Sequence, residues 1–308
     1  MENIKYTIIL FYKYVPIENP EALMVAQKEL CKKLDLKGRM IIAKEGINGT
    51  FEGESESIEV HVKELLSHPD FADIHIKKSK GTGKAFPRLS IKVRNEIVAS
   101  YLGEKDIDPR KVTGKYLQAE ELHRWIEGKR EFYIVDMRND YEFNVGRFEN
   151  SIFPNLTNFR DLRHVLPILD SLKDKTIVTV CTGGVRCEKA SGFLVANGFK
   201  DVYQLYGGIV TYMEKYPGED FKGSLYVFDN RIVMAFNMDD PNRSVVGICS
   251  KCEKKSENYI NCTDPFCHRH FIVCKECLNG NETMHCPMGC RDFSKEHPET
   301  AKGLGHSA

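Results

Sequence analysis

Cys181 and Arg186 stand at the two ends of the run Cys181-Thr182-Gly183-Gly184-Val185-Arg186, a pattern that can make a thiol reactive. The β-branched stretch Ile177, Val178 and Val180 delivers the cysteine from a buried strand, and a helical pattern follows from Glu188 to Asn197. A strand–loop–helix turn of this kind points successive backbone N–H groups inward at a helix N-terminus, where negative charge is favoured. A thiol held there ionises more readily, and the thiolate is the nucleophile. Arg186 adds a fixed cation. Gly183 and Gly184 keep side chains out of the cradle and tolerate backbone angles that other residues resist. A small buried cysteine closing a strand is the bland alternative. The glycine pair, the arginine and the context point instead to Cys181 as a nucleophile, with Thr182 to Val185 as its active loop. Cys187 reads either as a thiol able to resolve an oxidised Cys181 or as a buried helix cysteine.

A second constellation lies near the C-terminus, where eight of the eleven cysteines fall within residues 249–290. They form the pairs Cys249/Cys252, Cys262/Cys267, Cys274/Cys277 and Cys286/Cys290. Two C-x-x-C knuckles, one C-x4-C and one C-x3-C would suit two tetrahedral zinc sites of four thiolates each, with His268, His270 or His285 as substitutes. Few apolar residues follow position 250, so metal binding would supply the folding free energy of this tail. Eight thiolates leave no obvious open coordination position, which predicts a structural role. Reduced or disulfide-bonded cysteines without metal are the alternative, and the spacing leaves open which pairs share an ion.

A third feature is charge. Residues 75–94 carry Lys77, Lys78, Lys80, Lys84, Arg88, Lys92 and Arg94 and no acidic residue. Gly81 and Gly83 mark a loop there, and Phe86 offers a ring. Such a patch suits RNA phosphates and the stacking of a base, or it is a solvated face. The chain as a whole is not basic, with 44 Lys plus Arg against 44 Asp plus Glu. Its 308 residues suggest two or three domains. It shows no apolar stretch of transmembrane length and no signal-peptide pattern at Met1–Lys5, which predicts a soluble, cytoplasmic protein with reduced thiols.

The elements that would position these groups fall into three units. Residues 1–100 read as strand, helix, strand, strand, helix, strand, the ferredoxin-like order. The first strand is expected at Ile4–Tyr14, and a helix is capped by Asn19 with Pro20 at its first position. Gly38–Ala43 is a strand with a sharp connection at Glu45–Gly49, Ser57–Leu66 is an amphipathic helix, and Ile74–Lys77 and Leu89–Val93 close the sheet. Two-layer packing would leave one sheet face free for a partner. Residues 116–218 alternate helix and strand around a mostly parallel sheet, with a turn at Asp136–Asp140 and a helix at Asp161–Leu172 broken or kinked at Pro167. Ligands of such sheets sit beyond the carboxyl ends of strands, where Cys181 lies. Residues 219–308 hold a hairpin at Ser224–Phe236 and then the cysteine-rich tail.

The middle unit resembles a rhodanese domain. Tyr133-Ile134-Val135-Asp136-Met137-Arg138-Asn139-Asp140-Tyr141-Glu142-Phe143 is similar to that family's early aspartate–arginine–glutamate motif, and Cys181–Arg186 matches its active loop. Gly146-Arg147-Phe148 departs from the family's Gly-His-Ile at the histidine. The six-residue loop is the sulfurtransferase length, whereas related phosphatases carry one residue more. Gly38–Gly53, the stretch Cys181–Ser191 and the paired-cysteine tail together resemble the bacterial tRNA uridine(34) hydroxylase family. That resemblance implies an oxygen-dependent 5-hydroxylation of the wobble uridine, tRNA and its anticodon loop as partner, and an unidentified electron or oxygen donor. It also favours Lys77, Lys78, Lys80, Lys84 and Arg88 as RNA contacts. Asp136 and Arg138 would hold the active loop, as Glu142 could. The sequence has no glycine fingerprint for flavin or nicotinamide and no iron facial triad. Thiolate addition to uracil C6 and a persulfide on Cys181 are both open routes. A sulfurtransferase and an inactive RNA-binding scaffold are the competing readings.

Overall fold

The computed structural model describes residues 5–264, 267, 269–279 and 283–287. Its N-terminal unit runs β1 (Tyr6–Tyr14), α1 (Pro20–Lys33), β2 (Lys37–Ala43), β3 (Gly46–Glu54), α2 (Ser55–Ser67), β4 (Lys77–Lys80) and β5 (Leu89–Val93). The sheet order β4-β1-β3-β2 is the ferredoxin-like arrangement, and β5 adds an edge strand parallel to β2. The Asn19 side chain accepts from the Ala22 N–H at 2.9 Å and so caps α1. Strand alternation gives the sheet two different faces. Ile9, Phe11, Ile42, Ile47 and Phe51 pack under α1 and α2 in one apolar core. Ile8, Leu10 and Tyr12 point the other way.

Two local expectations differ from the structure. Ile74 and Ile76 pack into the helix-covered core before the chain joins the sheet, so β4 begins at Lys77 rather than ending there. The expected bend at Glu45–Gly49 is shorter, because Gly46 already pairs with both Tyr14 and Ala43.

The middle unit comprises β6 (Lys115–Leu117), α3 (Ala119–Glu127), β7 (Tyr133–Asp136), α4 (Asp140–Val145), β8 (Gly146–Phe148), α5 (Leu166–Leu169), β9 (Thr176–Val180), α6 (Val185–Ala196), β10 (Asp201–Leu205), α7 (Gly208–Lys215) and β11 (Phe221–Gly223). Its sheet, ordered β6-β10-β9-β7, is parallel throughout. Helices cover both faces, and two apolar clusters share the strand residues: Val178 and Val180 face one side, Val135 and Ile177 the other. The stretch around Pro167 is a succession of 3₁₀ and α turns rather than one helix, as a ring without an N–H dictates. The turn after Asp136 continues into α4, which the sequence reading left out. The Glu142 carboxylate caps it by accepting from the Asn139 N–H at 3.1 Å. Helix α6 starts one turn earlier than its apolar pattern suggests, with Gly184 as N-cap.

Beyond β11, β12 (Leu225–Tyr226) and β13 (Val233–Met234) form the expected antiparallel hairpin. β14 (Tyr259–Asn261) pairs with β15 (His270–Ile272), followed by α8 (Lys275–Leu278). No helix among the described residues is long and apolar enough to cross a membrane.

Candidate active site

Central strand β9 ends at Val180, so Cys181 emerges at the carboxyl edge of the sheet. Its side chain is buried, and the Gly184 N–H donates to its Sγ at 3.2 Å. Gly184 adopts φ +105°, a conformation that an L side chain resists, so the glycine permits this turn into α6. Burial alone would push the Cys181 thiol up. Hydrogen bonds from Cys187 and Gly184 and the Arg186 charge outweigh it and bring the value down to about 6. Cys187 is buried beside it and moves the opposite way, because desolvation and the neighbouring thiolate both keep its proton on. The pair is therefore a thiolate and the thiol that solvates it.

Helix α7 fixes the loop from behind. The N–H groups of Ile209 and Val210 donate to the carbonyls of Cys181 and Thr182 at 2.9 and 3.0 Å. A Cβ on Gly208 would lie 2.7 Å from backbone atoms of Thr182, Gly183 and Gly184, so only glycine allows this approach.

Arg186 points into the protein. Its Nη1 and Nη2 donate to Glu142 at 2.6 and 2.7 Å, and Thr182 Oγ1 donates to the same carboxylate at 2.9 Å. Glu142 is fully buried; burial would raise its carboxyl, but the Arg186 guanidinium holds it below the usual range. Glu142 thus ties the active loop to α4. Asp136 and Arg138, expected to hold that loop, bind each other at 2.6 Å, and Arg138 donates to the Gly146 carbonyl at 2.6 Å. They brace the β7–β8 corner and reach the loop strand through the backbone, where Asp136 pairs with Val180 and the Met137 N–H donates to the Val180 carbonyl. Arg147, at the position of the departure from Gly-His-Ile, lies over the Phe143 ring.

The open face of the N-terminal sheet sits directly on this loop. A Cβ on Gly183 would lie 2.8 Å from Leu10 Cδ2, and one on Gly184 would lie 2.7 Å from the Tyr12 hydroxyl. Tyr12 and Tyr116 donate to the buried carboxylate of Glu188 at 3.1 and 3.0 Å, and Gln204 donates to it at 3.1 Å. A cavity of about 420 Å³ lies between this sheet face, the active loop and the β12–β13 hairpin. Arg39 and Thr50 line its sheet side, Thr182 and Gly183 its loop side, and Phe228 its hairpin side. The Arg39 guanidinium lies over Phe228 and makes no ion pair or hydrogen bond among the described residues.

The basic stretch divides. Lys78, Lys80, Lys84 and Arg88 are exposed, with Lys78 paired to Glu59. Lys77 is the exception: it is 6 % exposed and lines the cavity, because its strand position shares the face of Leu10. Phe86 is also buried, against Ile8 and Ala85, and what remains of its ring surface faces the cavity rather than solvent. Glu52 accepts from the N–H groups of Thr82, Gly83 and Ala85 and so draws this loop down onto the sheet.

Three family models match the chain in succession: the UPF0176 acylphosphatase-like domain over residues 6–97, the rhodanese-like domain over 118–215 and the rhodanese C-terminal domain over 222–291. Proteins named tRNA uridine(34) hydroxylase match nearly end to end. The one from Arthrobacter sp. is 41% identical over 92% of this chain and 98% of its own length. Those from Cytophaga hutchinsonii and Staphylococcus carnosus are 40% and 41% identical over 96% and 94% of this chain and 91% and 90% of theirs. The chain belongs to the tRNA uridine(34) hydroxylase family.

In this member of the hydroxylase family the tail cysteines interleave. Cys249, Cys252, Cys274 and Cys277 converge with their sulfurs within 4.8 Å of one another, and Cys262, Cys267 and Cys286 form a second such group. Cys290 and His268 lie outside the described residues. The first and third pairs therefore share one cluster, because the β14–β15 hairpin brings them together across the second pair. Sulfur separations include 3.6 Å for Cys252–Cys274 and 3.7 Å for Cys267–Cys286. Those match the edge of a tetrahedron with metal–sulfur bonds of about 2.3 Å, so both sets could hold a metal ion. His270 is committed elsewhere, to the Tyr226 hydroxyl at 2.8 Å.

Glu188, Tyr12, Tyr116 and the buried side of Lys77 were missed as site residues by sequence reasoning. The usable signal for Lys77 was strand alternation, which puts it on the face opposite Lys78 and Lys80.

Proposed function

We propose that the protein is a tRNA-modifying oxidoreductase that 5-hydroxylates the wobble uridine at position 34, with molecular oxygen as co-substrate and Cys181 as nucleophile. The observation that carries this reading is a buried, stabilised thiolate whose loop neighbours Thr182 and Gly183 line a cavity of about 420 Å³, a volume in the range of small-molecule sites. A base reaches such a recess only when turned out of its stack. Addition of the Cys181 sulfur to uracil C6 would move the C5–C6 π electrons into the ring and onto O4. C5 then becomes the electron-rich carbon that takes up oxygen. The electron donor that completes the oxygen chemistry is unidentified. Loop N–H groups and the Arg186 side chain would shape the site around the adduct.

The three units divide the work in this reading. Residues 1–100 contact tRNA, 116–218 carry out the chemistry, and 219–308 form a zinc-stabilised module. Lys78, Lys80, Lys84 and Arg88 would meet phosphates of the anticodon arm, and Arg39 would meet one inside the cavity. Zinc held by Cys249, Cys252, Cys274 and Cys277, and by Cys262, Cys267, Cys286 and Cys290, would serve folding rather than chemistry. Work on tRNA implies a cytoplasmic location.

The test is nucleoside analysis of total tRNA by mass spectrometry from a strain lacking the gene. Loss of 5-hydroxyuridine and its derivatives, restored by the gene, is the expected result. Unchanged 5-hydroxyuridine with loss of a thiolated nucleoside would replace this reading by sulfur transfer from Cys181.

A further inference from the structure

Arg186 is the cation that the sequence offers for stabilising negative charge beside Cys181, yet Glu142 already occupies its fork and offsets much of its charge. Lys77 is in the opposite situation. Paired residues form a row across the open sheet face, Arg39–Thr50–Leu10–Lys77, and Leu10 of that row packs on Gly183 of the active loop. Lys77 is 6 % exposed and lines the cavity together with Thr182 and Gly183. Among the described residues its ammonium meets no carboxylate and no hydrogen-bond acceptor. Its close neighbour is the Tyr12 ring, with Nζ 5.1 Å from the centroid. The charged and titratable groups that face it are Cys181, Glu188 and His75. The Glu188 oxygens are already taken by Tyr12, Tyr116, Thr113 and Gln204.

No protein acceptor among the described residues takes the donors of this mostly buried ammonium, so an acceptor that enters beside it is favoured. The cavity that Lys77 and the active loop both line is where an acceptor can enter. Burial lowers Lys77 to about 8, while Cys181 and Glu188 pull the other way, so the group is cationic at neutral pH and able to share its proton.

We propose that Lys77 is a catalytic residue, whose ammonium hydrogen-bonds O4 of the target uracil and stabilises the enolate formed when Cys181 adds to C6. This rests on the hydroxylase reading with Cys181 as nucleophile. In the step, the thiolate lone pair forms the S–C6 bond, the C5–C6 π pair moves to C4–C5, and the carbonyl π pair moves to O4. The Lys77 proton is shared with that oxygen. No oxidant or reductant is consumed, and collapse of the enolate expels the thiolate again. Protonation at C5 by water, loss of the original C5 hydrogen to water to re-form the enolate, and then collapse exchange that hydrogen with solvent.

The experiment uses the full-length protein and an anticodon stem-loop RNA deuterated at C5 of its position-34 uridine, without oxygen. Deuterium loss is read by mass spectrometry, RNA affinity is measured at several salt concentrations, and a thermal melt is recorded. The wild type is expected to exchange the label. Lys77→Met should slow exchange about 10²-fold at unchanged RNA affinity and an unchanged or higher melting temperature, and Lys77→Arg should lie between. Wild-type exchange by Lys77→Met would overturn the proposal. So would weaker RNA binding with a salt slope reduced by about one and unchanged exchange when saturated, which would make Lys77 a phosphate contact. Hydroxylation by a wild type that never exchanges the label would remove the C6 addition itself, and Lys77's role with it.

Discussion

Two buried lysines flank the active loop, and their surroundings are opposite. Lys189, on α6 just past Arg186, is fully buried and pairs with Glu45 and Glu96 at 3.0 Å and Asp106 at 2.8 Å. Those carboxylates come from the β2–β3 turn, the segment after β5 and the stretch leading to β6. Burial alone would lower this lysine, but the three carboxylates raise it above the usual range. Lys189 therefore fastens the N-terminal sheet to the helix that carries the active loop. Lys77 has no such partner among the described residues. Burial is common to both; the inventory of acceptors separates a cation that holds the fold from one that awaits a ligand.

That contrast breaks or sharpens under mutation. Lys189→Met leaves three carboxylates unpaired at the junction. Because these are 18–33 % exposed, the expected cost is the lower end of the buried-pair range, about 3 kcal/mol, read as a lower denaturation midpoint. Lys77→Met, measured the same way, should be neutral or stabilise by about 1 kcal/mol, since it removes a desolvation penalty with no pair to lose. Equal destabilisation by both would erase the distinction.

Glu142→Gln sharpens it differently, by turning Arg186 into a second uncompensated cation beside Cys181. The midpoint for alkylation of Cys181 by iodoacetamide should fall in this variant and rise in Lys77→Met, by up to about one pH unit each. In the wild type that alkylation should climb through about pH 6 and be nearly flat above pH 7.5. The sign follows from the lowered thiol. Its contribution to folding is full above the ordinary thiol range and is lost as pH falls through about 6.

The smallest expected effect comes from the tail. Arg269 donates to Asp140 at 2.9 Å and the Tyr259 hydroxyl donates to the Tyr141 carbonyl, so the tail leans on α4 beside Glu142. Removing metal with a chelator should unfold the tail and reduce hydroxylation a few-fold through the loosened Glu142. Circular dichroism and nucleoside analysis would check both halves.

The strand–loop–helix turn at Cys181 was legible because a β-branched run, two glycines and a helical pattern all describe one local event. The ferredoxin-like order was legible for the same reason, since each element carries its own period. What the sequence hid was long-range. Glu142 meets Arg186 only through α4, a helix too short to show a period. Lys77 was drowned in a basic run whose alternate members face opposite sides of β4, and its burial depends on a loop a hundred residues away docking on that face. The interleaving of the cysteine pairs was set by the β14–β15 hairpin, which pair spacing does not encode.

The most direct test of the central claim is rescue of the gene-deletion strain by Cys181→Ser, with the folded state of the variant verified by its melting temperature. A folded variant that restores no 5-hydroxyuridine to tRNA is the expected result. Restoration to the wild-type level would contradict the assignment of Cys181 as the nucleophile.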